Sequence, residues 1–357
     1  MNSNNLEDII KSIIKQQGPI SVAAFMALAL QHPNLGYYTT RNPIGRTGDF
    51  VTSPEVSQLF GEILGVWCVD VWTRIGKPDS FALLEMGAGS GVMMHDIIRV
   101  TEKVSEFANA RKVFILESNK VLKDKQKSNI PCEYSYVDSV SSVPHDLPLI
   151  IVANEFFDVM PVRQFEKTFQ GWAECMVDIE NNSLALALRT LSDFEQQLIP
   201  PEKAEALPGT VFEFSPVSQS IMKEAAEAIA QRKGAMLVVD YGYSSEINYS
   251  TLQAVSKHKR ASIFDNPGET DISYHVDFRD LAKVAETAGA DVSFIVTQGE
   301  FLENFGIRLR AEKLKHNVNK KQALEIDTAL KRLTSDDEMG SVFKVMEVVK
   351  ENVKSEV

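Results

Sequence analysis

Within LLEMGAGSGVMMHDIIRV, residues 83–100, Glu85 closes an apolar run, and Gly87, Gly89 and Gly91 follow at alternate positions before a helical pattern begins. Glycine reaches backbone angles closed to other residues and lets a ligand touch the main chain. The helix start beyond it offers free N–H groups to a carboxylate or phosphate. Two cofactor classes use such a turn. A dinucleotide loop reads GxGxxG, with its third glycine three residues after the second. Here that position is Val92, and the glycines read GxGxG. S-adenosylmethionine suits the observed pattern, with the acid meeting its amino acid end or its sulfonium. A tight strand–helix turn with no ligand is the plainer alternative.

Other polar residues fall where strands should end. Glu117 closes VFILES and stands where an acid accepts both ribose hydroxyls, a role common to dinucleotide and methionine-derived cofactors. Asp138, in YSYVDSV, could receive an adenine amino group or simply form a turn. In LIIVANEFFDVMPVRQF, Asn154, Glu155 and Asp158 cluster straight after an apolar run, where they are costly to bury unless they have work to do. Two carboxylates three residues apart can grip a guanidinium; alternatively Asp158 caps a short helix and Glu155 pairs with an arginine. In GRTGDFVTSPE, residues 45–55, Asp49, Thr52, Ser53 and Glu55 either cap the following helix or belong to a lid over the cofactor hinged at Gly45 and Gly48. His258 and Asp271 sit on a long stretch expected to reach the same sheet edge and are the candidate substrate contacts. His95, in the helix after the glycine turn, reads as a surface residue.

Positioning these groups requires a sheet. Residues 6–17 and 21–31 read as helices, the first stopped by Gly18-Pro19. A long helix is expected from about Pro54, capped by Ser53. Strands are expected at 81–86, 112–117, 133–137, 148–153 and 234–240, alternating with helices, which implies an α/β fold with a mostly parallel sheet covered on both faces. About 80 residues separate the fourth strand from the fifth, too many for a simple crossover. Antiparallel strands within that interval imply an inserted element. A helix near 277–288, a strand at 291–297, a helical excursion at 300–333 and a last strand in SVFKVMEVV imply an antiparallel final hairpin. The expected divisions are 1–79, an N-terminal helical region with the lid-like loop; 80–160, the first part of the core; 161–230, the inserted subdomain; and 231–357, the second part of the core.

Composition excludes several classes. With 49 acids against 37 Lys and Arg, the net charge of -12 and the lack of a basic block disfavour a broad nucleic-acid surface. Cys68, Cys132 and Cys175 lie far apart, with no CxxC or HExxH, so neither a disulfide framework nor a standard zinc site is indicated and a reducing compartment is expected. No apolar run approaches ~20 residues, so no membrane span is expected. The start, MNSNNLEDIIKS, carries no signal-like apolar core.

Several stretches taken together resemble one family. GPISVAAFMALALQHPNLGYYTTRNPIGRTGDFVTSPEVSQLFGEILGVW, LLEMGAGSGVMMHDIIR, ANEFFDVMPVRQF, VVDYGY, DNPGETDISYHVDF and TQGEFLENFGI are similar to the MidA-like S-adenosylmethionine-dependent methyltransferases, over about 18–350. That family includes the mitochondrial arginine methyltransferase that acts in complex I assembly. GAGSG departs from the GPGRG common in the family, which changes loop rigidity but keeps the glycines. The resemblance implies a class I methyltransferase (Rossmann-like) fold with a seven-stranded sheet and an inserted α+β subdomain. It also implies S-adenosyl-L-methionine as cofactor and a protein arginine as acceptor, on a complex I subunit in the mitochondrial members. Lacking their presequence, this chain is expected in a bacterial cytoplasm. The expected chemistry is in-line attack of the acceptor nitrogen on the sulfonium methyl. The leaving group is neutral, so no metal is required, and alignment can contribute ~7–11 kcal/mol. Glu155 and Asp158 would localise the guanidinium charge and aid proton loss. A non-catalytic assembly chaperone, a methyltransferase for RNA or a small molecule, and a nicotinamide oxidoreductase are the competing readings.

Overall fold

The computed structural model describes residues 5–40, 52–256, 259–316, 318–350 and 353. By internal contacts the chain forms two compact units. One comprises Met1–Arg41, Val159–Gln219 and Ser245–His275; the other comprises Asn42–Asp158, Ser220–Ser244 and Val276–Val357. The chain therefore passes back and forth between them, and stretches distant in sequence share a unit.

The second unit is built on a mixed sheet. Its main strands are β1 (Phe81–Met86), β2 (Arg111–Leu116), β3 (Tyr134–Val137), β4 (Leu149–Asn154), β5 (Gly234–Tyr243), β6 (Asp291–Thr297) and β7 (Phe343–Val349), in the spatial order β6-β7-β5-β4-β1-β2-β3. The five from β5 to β3 are mutually parallel. β7 runs antiparallel to both β5 and β6. The sheet has eight strands in all, because the two-residue Val276–Asp277 adds to the end of β5.

Successive strand residues face opposite sides, and here both sides are covered. Phe81 and Leu83 of β1, Ile150 and Val152 of β4, and Leu237 and Val239 of β5 join one core cluster with Trp67, Met94 and Phe301. Ala82, Leu84, Ile151 and Val238 join another with Phe157, Met222 and Leu281. This alternation has a consequence for the polar residues. Glu85 and Asn154 take the parity of Leu83 and Val152, so they project from neighbouring strands on the same face. Asp240 takes the parity of Val238 and projects from the other.

The expected long helix from Pro54 is broken in two. Ser53–Val56 is a separate turn of helix. Ser57 is extended, with φ -165 and ψ 145, and its side chain caps the helix Gln58–Arg74 by accepting from the Leu59 N–H. The serine that caps the long helix is thus Ser57 rather than Ser53, because the chain is extended at Ser57, whose hydroxyl takes an orphan N–H of the first turn, while the Ser53 hydroxyl donates to Gln298.

The first unit carries the helices Leu6–Gln17 and Val22–Gln31 and an antiparallel sheet of Arg163–Thr168, Gly171–Glu180, Ser183–Thr190 and Val211–Phe214, joined by Ile20–Ser21. Its core holds Ile10, Phe25, Met26, Val177 and Ile272. The stretch after 241 contributes a small three-stranded sheet here: Gln253–Ser256, Lys259–Ala261 and Asp271–Ser273. Short strands bounded by Asn, Gly and Pro carry little periodicity, so they do not announce themselves. Among the described residues, no helix is long and apolar enough to cross a membrane.

Candidate functional site

The strand order reverses between β1 and β4, both flanked by parallel neighbours. In such sheets a crevice opens beyond the carboxyl ends at the reversal. A cavity lies there, lined by Thr52, Pro54, Glu55, Glu85, Gly87, Ala88, Gly89, Ser90, Val92, Met93, Asn154 and Glu155. Three of these are carboxylic acids, and among the described residues no Lys or Arg lines it.

The glycine turn has the conformation its composition suggests. Gly87, Gly89 and Gly91 have φ of 70, 54 and 82. At Gly87 the fit is also steric: a Cβ would stand 2.7 Å from Cδ2 of Phe156. The turn is held from behind. The fully buried Gln126 donates from Nε2 to the Gly89 carbonyl at 2.8 Å and to Glu117 Oε2 at 3.3 Å, and its Oε1 accepts from the Tyr136 hydroxyl. Asn129 donates to the Ser90 carbonyl at 2.9 Å. His95, expected at the surface, is half-buried, with Nδ1 2.7 Å from the Asn129 carbonyl. From in front, Ser90 donates to Glu55 at 2.7 Å.

Glu85 is 1% exposed, and among the described residues its Oε2 has no hydrogen-bond partner. Burial pushes its carboxyl well above the ordinary range, and the nearby charge of Glu117 adds to the rise. Asn154 is also buried, and its Oδ1 has no donor among the described residues. Two buried acceptors without donors at the wall of one cavity are unusual in native proteins. Glu117, half-buried at the end of β2, accepts from the Asn119 N–H at 2.8 Å, and burial raises it too.

Glu155 has φ 48, a left-handed angle rare outside glycine. Its Oε1 accepts from the Ser53 N–H at 2.9 Å and from Asn154 Nδ2 at 3.2 Å; among the described residues Oε2 carries no hydrogen bond. Burial raises its pKa, while those two bonds and the positive charge of Arg332 oppose the rise. Ser53 does not line the cavity. It is fully buried, its hydroxyl donating to Gln298 at 3.2 Å, and Gln298 donates to the Leu333 carbonyl. Asp158 is half-buried in a turn and is not a lining residue; the helix it was expected to cap is absent. Asp138 is exposed just beyond β3. Asp271 is buried in a strand of the first unit. Asp49 and His258 lie outside the described residues, as do most of 45–55.

Two residues escaped the sequence reading. Gln126 is an unremarkable glutamine in a charged helix. Asp240, in VVDYGY, is fully buried; its Oδ2 accepts from the Phe156 and Phe157 N–H groups at 3.1 and 2.8 Å, and its Oδ1 from the Tyr241 N–H at 2.8 Å. Burial pushes its carboxyl up to about 7; the peptide N–H groups oppose the rise and the charge of Glu155 adds to it. A strand-end acid beside apolar neighbours was the available signal.

Comparison with known proteins decides among the cofactor classes. Residues 63–296 match the model of a family described as S-adenosyl-L-methionine-dependent methyltransferases. The chain belongs to that family. The human protein arginine methyltransferase NDUFAF7, mitochondrial, is 35% identical over 333 residues, covering 86% of this chain and 74% of that protein. Its Xenopus tropicalis counterpart is 31% identical over 375 residues, covering 94% and 84%. A solved structure from Burkholderia thailandensis, bound to S-adenosyl-homocysteine, has TM-score 0.84 at 24% identity, covering 98% of this chain and 92% of that one. The MidA-like resemblance therefore holds, and the chain is a methyltransferase whose cofactor is S-adenosylmethionine. The cavity fits this molecule: unpaired buried acceptors and a surplus of carboxylates suit a ligand carrying ammonium and sulfonium groups, and repel a pyrophosphate.

A buried carboxyl with a raised pKa, such as Glu85, is a stability burden. Below about pH 4.5, Glu85 is protonated in both folded and unfolded chains and has no effect. As pH rises past that value, the unfolded chain ionises first, so stability is lost until pH exceeds the raised folded pKa. Glu85→Gln is therefore expected to melt at or above the parent temperature at pH 8, with the difference vanishing near pH 4. Its affinity for S-adenosylmethionine should fall at least ~10-fold. Scanning calorimetry at both pH values checks this; a variant less stable than the parent at pH 8 refutes it.

Proposed function

We propose that this protein transfers a methyl group from S-adenosylmethionine to an arginine side chain of a protein. The observation that carries this reading is the charge of the cavity wall, with Glu55, Glu85 and Glu155 present and no basic side chain among the described residues. In this reading the sheet is the class I methyltransferase arrangement: seven main strands, with Val276–Asp277 an addition. Glu85 and Asn154 receive the amino acid end of the cofactor, with Gly87, Gly89 and Gly91 beneath it and Thr52 beside it. Glu117 receives the ribose hydroxyls, and Asp138 stands on the adenine side. The bound cofactor supplies an electrophilic methyl group whose transfer leaves a neutral thioether.

The rest falls to the chain's own residues. Glu155 Oε1 is anchored, so Oε2 is the oxygen that meets the guanidinium. It draws positive charge away from the attacking nitrogen and accepts the proton that nitrogen sheds. An arginine side chain, with pKa above ~12, needs that help. Asp158 reinforces the negative field at this edge. Asp49 and Ser53 complete the proposal as cofactor contacts, and His258 and Asp271 as substrate contacts. The family resemblance points to a respiratory complex I subunit as acceptor and to the bacterial cytoplasm as location; the human and frog relatives are named protein arginine methyltransferases.

The test is calorimetric titration with S-adenosylmethionine and, separately, with NADH. Saturable binding of the first alone is expected. Binding of NADH, or of neither, overturns the reading. Binding of S-adenosylmethionine with no methylarginine formed in any protein favours the chaperone.

A further inference from the structure

We infer that Asp240 is the positioning residue for the reacting carboxylate, fixing Glu155 through the two peptide N–H groups that follow it. This rests on the methyltransferase reading above. Asp240 is not among the residues lining the cavity, so it does not meet the substrate itself. Its place in the fold is the carboxyl end of β5, beside the end of β4. There the chain leaving β4 is stitched to β5 twice. The Glu155 N–H donates to the Val239 carbonyl at 2.9 Å. The next two N–H groups, of Phe156 and Phe157, both donate to Asp240 Oδ2. The Tyr241 N–H holds the other carboxylate oxygen, so Asp240 cannot rotate without losing a bond.

These bonds bracket the one residue of the segment that is conformationally strained. Glu155 at φ 48 would relax to an extended angle if the peptides after it were released. Its Oε1 would then leave the Ser53 N–H and Asn154, and Oε2 would leave the cavity. Charged acceptors make stronger bonds to peptide N–H than neutral ones, which suits a carboxylate to this task.

The experiment compares Asp240→Asn, Glu155→Gln and the double variant in the full chain. Turnover is measured as labelled methylarginine formed in protein extract from the source organism deleted for this chain. Affinity for S-adenosylmethionine is measured by calorimetry. Asn preserves volume but offers one acceptor oxygen where three N–H groups converge. Asp240→Asn is expected to lower kcat about 10- to 100-fold and to change cofactor affinity less than about threefold. Added to Glu155→Gln, it should lower kcat no further than about twofold, because both act through one carboxylate. Unchanged turnover in Asp240→Asn overturns the inference, as do losses that multiply in the double variant. If Asp240→Asn fails to fold, Glu155→Gly supplies the second test: glycine takes φ 48 without strain, so Asp240→Asn combined with Glu155→Gly should fold. No rescue overturns the inference. A parent chain that binds S-adenosylmethionine but forms no methylarginine overturns the arginine reading and this inference with it. An active parent with an indifferent Asp240→Asn overturns this inference alone.

Discussion

Glu155→Gln is expected to lower turnover about 10²- to 10³-fold while leaving affinity for S-adenosylmethionine within about threefold of the parent. The amide is isosteric, and its oxygen can keep the two bonds that Oε1 accepts from the Ser53 N–H and Asn154. The backbone therefore has no reason to move. What changes is the other position, where an NH₂ replaces the oxygen available to a guanidinium. It can neither accept a proton nor attract the cation. The loss belongs mainly in kcat, because proton acceptance matters most as the nitrogen loses its charge. Removing an acid whose pKa burial has raised should not destabilise the fold at neutral pH. Steady-state kinetics with a melting curve on the same sample checks both statements. Turnover within twofold of the parent would remove Glu155 from the chemistry.

The second large effect is at the glycine turn. Gly87→Val is expected to weaken S-adenosylmethionine binding about 100-fold or more, roughly 2.7 kcal/mol. Valine at φ 70 is strained, being β-branched, and its Cβ would meet the Phe156 ring at 2.7 Å. Relief requires either the turn or Phe156 to shift. The first displaces Ala88, Gly89 and Ser90 of the cavity wall; the second disturbs the residue next to Glu155. Gly306→Ala is the matched control. It has a similar left-handed angle, φ 82, but nothing lies within 4 Å of its added Cβ. It should lower the melting temperature slightly and leave binding unchanged. Calorimetric titration of both variants separates loss of the site from general strain, and equal loss in both would refute the assignment.

The readable part of this protein was local. The apolar runs of β1, β4 and β5, the glycine spacing at 87–91 and the acid two residues ahead of it are short-range patterns. They follow from backbone geometry and from burial on both faces of a parallel sheet, so 81–86 and 234–240 could be taken from the letters alone. The antiparallel ending was legible for the same reason: a strand after a helical excursion has few other places to go. Glu155 stood out because an acid directly after LIIVA is expensive without a purpose.

The remainder depended on partners far along the chain. Nothing near residue 53 indicates that its N–H meets Glu155, 102 residues away. Gln126 has no pattern of its own and becomes part of the site only because its helix packs behind the glycine turn. Asp240 gains its peptide partners from the end of β4, 83 and 84 residues earlier. The grouping of Val159–Gln219 with Met1–Arg41 and Ser245–His275 likewise arises from burial between segments that share no local signal. Apolar patterning reports which segments and faces are buried, and that was enough to place the strands of a parallel sheet, while the glycine pattern and the family resemblance carried the cofactor. Patterning carries no information on which distant hydrogen bond satisfies a given peptide, and here those bonds set the orientation of the reacting carboxylate.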